Sequence, residues 1–257
     1  MAIITLTSDW GLKDHYCGAV KGAILSKMPE ATIIDISHTI PSFEIEQAAF
    51  VIRNAYKNFP GGTIHIIGIN TEESEKNPHT VVEFNKQFFI GTDNGIFSLI
   101  FDKKPDKIVE LGIPQDSDFF TFSSRDRFIS AAVHLAQEKK IEELGSLKEK
   151  FIEKILLKAV VDNNIIKGHV IYIDSYENII TNIKKPLFIE ISNGRKFNIF
   201  FRTHEISKMS SSYTDVPVGE ILALFNSIRH LEIAINQGNA AGLLGLDYKD
   251  MIRIEFN

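Results

Sequence analysis

The sequence predicts an α/β N-terminal domain, with a largely parallel sheet flanked by helices, followed by a smaller antiparallel, barrel-like β domain. Two observations carry this expectation. Strand-like and helix-like segments alternate from Ile3 to Ile69, whereas short β-rich segments dominate after Val160. At 257 residues the chain is long enough for two modest domains, and its hydrophobic fraction of 44% suffices for buried cores.

Taken in order, Ile3 to Leu6 is an apolar run of buried-strand type. Tyr16 to Met28 has helical character and stops before Pro29, and Thr32 to Ile36 reads as a second buried strand. Ile45 to Phe59 has helical spacing and ends at Pro60-Gly61-Gly62, after which Thr63 to Ile69 forms a third strand. The resulting βαβαβ order implies parallel pairing, and ligands of such folds gather at the carboxyl ends of strands. Asp9, Ser37 and Asn70 fall just beyond those ends.

Further along, Phe88 to Gly91 reads as a strand and Phe151 to Leu157 as part of a helical segment. Strands are then expected at His169 to Ile173, Leu187 to Ile191, Phe197 to Phe201, Ile221 to Phe225, Leu231 to Ile235 and Met251 to Phe256. Asn193-Gly194, between two of them, suits a type I′ hairpin, whose two turn residues both need positive φ. A boundary near residue 162 divides the chain into domains 1–161 and 162–257.

Composition narrows the function. A net charge of −5 argues against nucleic-acid binding, which relies on clustered Lys and Arg. No run of about 20 apolar residues suits a membrane helix, and Met1-Ala2 leads straight into the first strand without a signal-peptide pattern. A single cysteine, Cys17, fits a reducing cytoplasm. Phosphate-loop and dinucleotide glycine motifs are missing, as is a nucleophile elbow. The eight histidines lack ligand spacing, so no metal is expected.

What remains is a set of polar residues at strand ends. Asp9, beside Trp10 and Gly11 and followed by Asp14 and Tyr16, suits a bidentate acceptor for a ribose diol; it suits a helix cap equally. Thr92-Asp93-Asn94-Gly95 has turn composition. Thr121 to Phe128 places Ser123, Ser124 and an Arg-Asp pair at a helix start, where backbone N–H groups favour anions, though a serine cap and a surface ion pair would look the same. Tyr172 to Ile183 sets Asp174, Tyr176 and Asn178 around a turn that could seat a polar aromatic ligand or simply close a hairpin. Phe225-Asn226-Ser227 and Asn236-Gln237-Gly238-Asn239 place small residues after strands, where a ligand can reach backbone groups.

In their joint order these segments resemble the DUF62 family, which comprises S-adenosylmethionine (SAM) hydroxide adenosyltransferases with the SAM-dependent fluorinase and chlorinase. The similarity spans nearly the whole chain: T-x-D-x-G-x-x-D from Thr7, D-I-S-H-x-I-P from Asp35, D-N-G from Asp93, T-F-x-x-R-D from Thr121, I-D-x-Y-x-N-x-x-T-N-I from Ile173 and N-x-G-N-A-A from Asn236. The resemblance implies a homotrimer that takes a small nucleoside substrate between the N-terminal domain of one subunit and the C-terminal domain of its neighbour. SAM is then the substrate and no cofactor is needed. It also implies that Asp9 holds the ribose hydroxyls and that Asn178, Tyr176 and Tyr213 meet the nucleoside. Asp174, with the Asp14 to Tyr16 loop, would take the methionine ammonium. Phe43 would lie near the substrate, and Asn236 to Asn239, with Ser227 on the neighbouring turn, would present groups to adenine.

The implied reaction is displacement at ribose C5′, with water as nucleophile and methionine as leaving group. Hydrolases of the family are associated with an Asp-Arg-His triad on the water side. At the matching positions this chain carries Asn70, Asn77 and Ser123. An amide such as Asn70 orients water but does not take its proton at neutral pH. Ser124 falls where the fluorinase has a halide-contacting serine, leaving halide transfer as a further alternative to hydrolysis and to binding without turnover.

Overall fold

The structure is a computed structural model that describes residues 2–114 and 120–257. It contains two compact units, Met1–Leu156 and Leu157–Asn257.

The first unit runs β1 (Ile3–Ser8), α1 (Tyr16–Lys27), β2 (Thr32–Ser37), α2 (Ile45–Ala55), β3 (Ile64–Gly68), β4 (His79–Phe84), β5 (Gln87–Thr92), α3 (Ile96–Ile100), β6 (Lys107–Leu111), α4 (Ser123–Ala136) and β7 (Gly145–Leu147). The strands form one seven-stranded sheet in the order β2-β1-β3-β5-β4-β6-β7. Its centre is parallel, β2 with β1, β1 with β3 and β3 with β5. Beyond β5 the pairing becomes antiparallel, so the sheet as a whole is mixed.

Successive strand side chains point to opposite faces, and the core divides accordingly. Ile4, Leu6, Ile66, Val81 and Ile90 pack with Val20 and Ile24 of α1 and with Phe128 and Ala132 of α4. Ile67, Val82 and Phe89 pack on the other face against Ala48 and Ile52 of α2 and Phe97 of α3. Helices therefore cover both faces. The strands β1, β3 and β5 thus end along one common edge, and β4, running the other way, begins there.

The second unit comprises β8 (Val160–Asp162), β9 (Ile165–Ile173), β10 (Ile179–Lys184), α5 (Lys185–Ser192), β11 (Phe197–Phe201), β12 (His204–Ile206), β13 (Met209–Ser210), β14 (Ile221–Phe225), β15 (His230–Ile235), α6 (Ala240–Leu244) and β16 (Met251–Phe256). Its sheet has the order β12-β11-β16-β9-β10-β15-β14-β13, with β8 also on β9. All ladders are antiparallel except β13 with β14, so this sheet too is mixed. It stops short of a closed cylinder: among the described residues no ladder joins β12 to β13.

Two expected elements are different. Leu187 to Ile191 lies in helix α5 rather than in a strand, with Pro at the helix start where its missing N–H costs nothing. Asn193 (φ +44°) and Gly194 (φ +79°) do adopt positive φ, but they end that helix instead of closing a hairpin. A short apolar run carries too little periodicity to separate the two outcomes. Phe151 to Leu157 is not helical either. The Ile152 N–H donates to the Asp93 carboxylate at 3.0 Å and the Lys154 N–H to Ser98 Oγ at 2.8 Å. Partners at alternate residues draw the backbone out straight.

The parallel centre of this sheet buries a histidine. His65 on β3 is 1% exposed and stacked on Phe89. Gln87 donates its amide N–H to Phe59 O, leaving Oε1 to accept from His65 Nε2 at 2.9 Å. Nδ1 therefore accepts from the Thr5 hydroxyl at 2.7 Å, and the ring is neutral. Burial pushes the His65 pKa down to about 4 from 6.5, the Gln87 contact opposing. The unfolded chain thus takes up this proton first, so stability falls as pH drops from about 6.5 to about 4 and levels off below. Urea unfolding at pH 7 and pH 5 should show a loss on the order of 2 kcal/mol that is absent from His65→Gln.

Candidate active site

The common strand edge of the first unit is organised by a buried imidazole. His38, 4% exposed, follows β2. Its Nε2 lies 3.1 Å from Asp35 Oδ1, which can only accept, so Nε2 carries the hydrogen. Nδ1 then accepts from the Ser8 hydroxyl at 2.6 Å. Lys21 donates to the other Asp35 oxygen at 2.5 Å. Partial burial opposes ionisation of Asp35, yet the hydrogen bonds from Lys21 and His38 hold its carboxyl below the ordinary range. Cys17 Sγ, 3.2 Å from His38 Nε2, completes a group of three donors of metal-binding type within 4.8 Å of one another. Here the Lys21 ammonium supplies the cation beside Asp35.

This network places the residues that follow β1. The Gly11 N–H donates to His38 O at 2.8 Å, and the Trp10 indole stacks on the His38 ring at 5.9 Å. On its other side Trp10 meets Phe122 edge-on, and Tyr16 does the same. Gly68, at the end of β3, makes room for the indole: a Cβ there would lie 2.2 Å from Trp10 Cζ2. Asp9 is half-buried, and its Oδ2 accepts from the Phe43 N–H at 2.9 Å. Phe43 has φ +67° and a ring 70% exposed. Asp9, Trp10, Tyr16 and Phe43 thus converge on this edge, while Asp14 is simply exposed.

The residues expected on the water side also border this edge. Asn70, after β3, has φ +47°, a conformation that asparagine tolerates, and its carbonyl accepts from Asn94 Nδ2. Asn77 closes a tight turn, its N–H donating to Ser74 O at 3.0 Å. Ser123 and Ser124 open α4 and are buried. Ser124 Oγ finds no hydrogen-bond partner among the described residues. Asp93, of the D-N-G motif, braces the edge through Ile152, and burial raises its pKa. Gly95 follows at φ +98°, with Lys154 Cβ only 3.1 Å from where its own Cβ would be.

In the second unit, Asp174 folds the β9–β10 turn upon itself. Its Oδ1 accepts from the N–H groups of Tyr176 and Asn178, both at 2.9 Å, and its Oδ2 accepts from Asn178 Nδ2 at 3.1 Å. Asn178 is buried by this arrangement, whereas the Tyr176 ring stands 81% exposed. The carbonyl of Glu177 accepts from Ala241 N at 3.0 Å, which brings the turn to the start of α6, capped by Asn239. Asn236 is held inward through Val216 O. Ser227 is exposed on the β14–β15 turn.

Tyr213 donates to Glu232 Oε1 at 2.6 Å, and Asn226 Nδ2 donates to Glu232 Oε2 at 3.1 Å. Burial, with the Glu232 hydrogen bond and the nearby Asp174 charge, raises the Tyr213 pKa. Glu232, 2% exposed, therefore links two candidate segments, and motif reading passed over it. The available signal was a lone acid inside the apolar strand Leu231-Glu232-Ile233.

A carboxylate, an indole and a tyrosine at the carboxyl edge of a helix-covered sheet mark an α/β protein of the ligand-binding kind, here with a β unit attached. The chain belongs to the SAM hydroxide adenosyltransferase family: the N-terminal domain of that family matches residues 4–145 and the C-terminal domain residues 168–253. A relative from Methanocaldococcus jannaschii, named (R)-S-adenosyl-L-methionine hydrolase, is 31% identical over 98% of this chain and 95% of its own length. A Thermus thermophilus relative of the same name is 26% identical, covering 96% of each chain. A fluorinase from Nocardia brasiliensis is 39% identical, but over only 24% of this chain and 21% of its own. Among solved structures, an uncharacterised conserved protein from Thermotoga maritima has 30% identity and a TM-score of 0.88, covering 98% of this chain and 99% of its own.

The contact between Gly68 and the indole is open to direct measurement, because Trp10 is the sole tryptophan. Gly68→Ala should expel the ring from beside His38, shifting the fluorescence emission to the red and costing about 1 to 3 kcal/mol in unfolding experiments. Unchanged emission would contradict the packing.

Proposed function

We propose that this protein cleaves SAM at ribose C5′ with water, giving adenosine and methionine. The observation that carries the reading is correspondence along the whole chain to relatives named SAM hydrolases, covering both units rather than one. The leaving group is a neutral thioether departing from a sulfonium, so the protein contributes chiefly by aligning water opposite sulfur and excluding other solvent. In this reading Asp9 accepts from the ribose hydroxyls with the oxygen not already committed to Phe43. Trp10, Phe43, Tyr176 and Tyr213 enclose the nucleoside. Asp174 and the Asp14 to Tyr16 loop receive the ammonium, and Asn178, Ser227, Asn236 and Asn239 serve the adenine side.

We infer further that the protein works in the cytoplasm as a homotrimer, the first unit of one copy facing the second unit of its neighbour. Open aromatic surface on both half-sites supports this: Phe43 on one, Tyr176 and Tyr213 on the other. No helix among the described residues is long and apolar enough to cross a membrane.

Asn70, Asn77 and Ser123 favour a second reading, retention of SAM or adenosine without turnover. The hydroxyl of Ser124, unpartnered among the described residues, favours a third, halide as nucleophile. Incubating the pure protein with SAM and resolving products by chromatography separates all three. Adenosine and methionine are expected; intact SAM with calorimetric binding points to the second reading, and a halide-dependent 5′-halonucleoside to the third. Asp9→Ala should weaken SAM binding by about 1.5 to 3 kcal/mol, roughly 10- to 150-fold, through loss of charge-assisted hydrogen bonds. Undiminished affinity would remove Asp9 from the site.

A further inference from the structure

Water attacking C5′ must lose a proton, and the side chain of Asn70 does not accept one. The structure offers another group on the same edge. Arg127 lies on α4 one turn beyond Ser123, and its Nη2 donates to the carbonyl of Leu111, the last residue of β6, at 2.9 Å. Its Nη1 donates both to Glu73 Oε2 and to His79 Nδ1, the latter at 3.1 Å. Arginine only donates, so His79 Nδ1 bears no hydrogen. Nε2 therefore carries it and donates to Thr71 O at 2.9 Å. The His79 side chain is wholly buried, and that burial lowers its pKa, keeping the ring neutral.

One guanidinium and one neutral imidazole thus tie the loop that follows β3 to the starts of β4 and α4, with Glu73 at the centre. One Glu73 oxygen is committed to Arg127. The other, Oε1, lies 3.6 Å from His79 Nδ1, where two acceptors face each other without a hydrogen between them. Among the described residues Oε1 accepts no hydrogen bond, and the side chain is 40% exposed. Other carboxylates of this edge are differently placed. Asp93 gives both oxygens to the Ile152 N–H. Asp126 gives both to Arg125, at 2.6 and 3.0 Å. Asp9 holds Phe43. Glu72 and Glu75 share the loop with Glu73, but no hydrogen bond or ion pair among the described residues fixes them.

We propose that Glu73 is the catalytic base of this protein, receiving the proton of the attacking water, with Arg127 and His79 as its positioning residues. The assignment rests on the hydrolysis proposed above. As the water oxygen bonds to C5′, the C5′–S bond breaks and its electron pair leaves on sulfur, making neutral methionine thioether. The water proton passes to Glu73 Oε1, leaving the 5′-hydroxyl of adenosine. Asn70, on the same loop, is left to orient the water.

The test compares wild type, Glu73→Gln, Glu73→Asp, Arg127→Lys and Glu75→Gln in steady-state SAM hydrolysis across pH, with SAM binding measured alongside. Glu73→Gln should lower kcat by about 10²- to 10⁴-fold, leave the Kd for SAM within a few-fold and abolish the acid limb of the kcat profile. Glu73→Asp should recover part of kcat together with that limb. Arg127→Lys should reduce kcat while keeping the limb, because the lysine has no planar fork to hold Glu73 and His79 with one nitrogen and the Leu111 carbonyl with the other. Glu75→Gln should match wild type. A Glu73→Gln protein that keeps wild-type kcat, or loses SAM binding in proportion to activity, overturns the assignment alone. A wild-type protein that leaves SAM intact overturns the hydrolysis reading and this assignment together.

Discussion

The ends of β1 and β2 are joined by one buried imidazole, and the candidate site of the first unit depends on that joint. His38 has a hydrogen-bond partner on each ring nitrogen, a carbonyl that takes the Gly11 N–H and a face that carries Trp10. Together with the Asp9 N–H that donates to Gly68 O and the Phe43 N–H that donates to the Asp9 carboxylate, these contacts fix the direction in which the chain leaves Ser8. Buried polar groups are costly unless satisfied, and they specify one geometry when they are. The D-I-S-H stretch therefore works as a bracket: Asp35 and His38 bond each other and hold the neighbouring loop in place.

The same economy recurs in the second unit, where Asp174 orders its own turn and Glu232 draws Tyr213 and Asn226 toward a shared carboxylate. In both units an acidic side chain does its structural work by accepting from N–H or O–H groups close by. The aromatic rings are left facing outward. Rigid polar scaffolding beneath exposed aromatic surface is the arrangement expected of a site that must be in place before its ligand arrives.

The parallel strands β1, β2, β3 and β5 were legible because each is a compact apolar run bounded by Gly, Pro or a polar strand end, whereas β4, β6 and β7, more polar or shorter, were not marked. Motifs at strand ends pointed to Asp9 in the first unit and to the Asp174 turn in the second. What escaped was decided by partners far along the chain. Phe151 to Leu157 has a helical pattern, but Asp93 and Ser98 claim its backbone donors across more than fifty residues of sequence. Leu187 to Ile191 is too short for its period to discriminate helix from strand, and Asn193-Gly194 satisfies a helix end as well as a hairpin. Arg127 falls inside the Thr121 to Phe128 segment, but Glu73 sits 54 positions away and no spacing links the two. Only the meeting of α4 with the loop after β3 gives them a shared meaning.

The contact between Asp9 and residue 43 separates support from recognition. The carboxylate is held by a main-chain N–H, which every residue but proline provides, so that anchor carries no preference for the side chain. The ring at 43, turned outward by its left-handed backbone, is correspondingly free to change in size or polarity without disturbing Asp9. Lineages carrying this fold can therefore alter the side chain at position 43 while the carboxylate of Asp9 stays where it is.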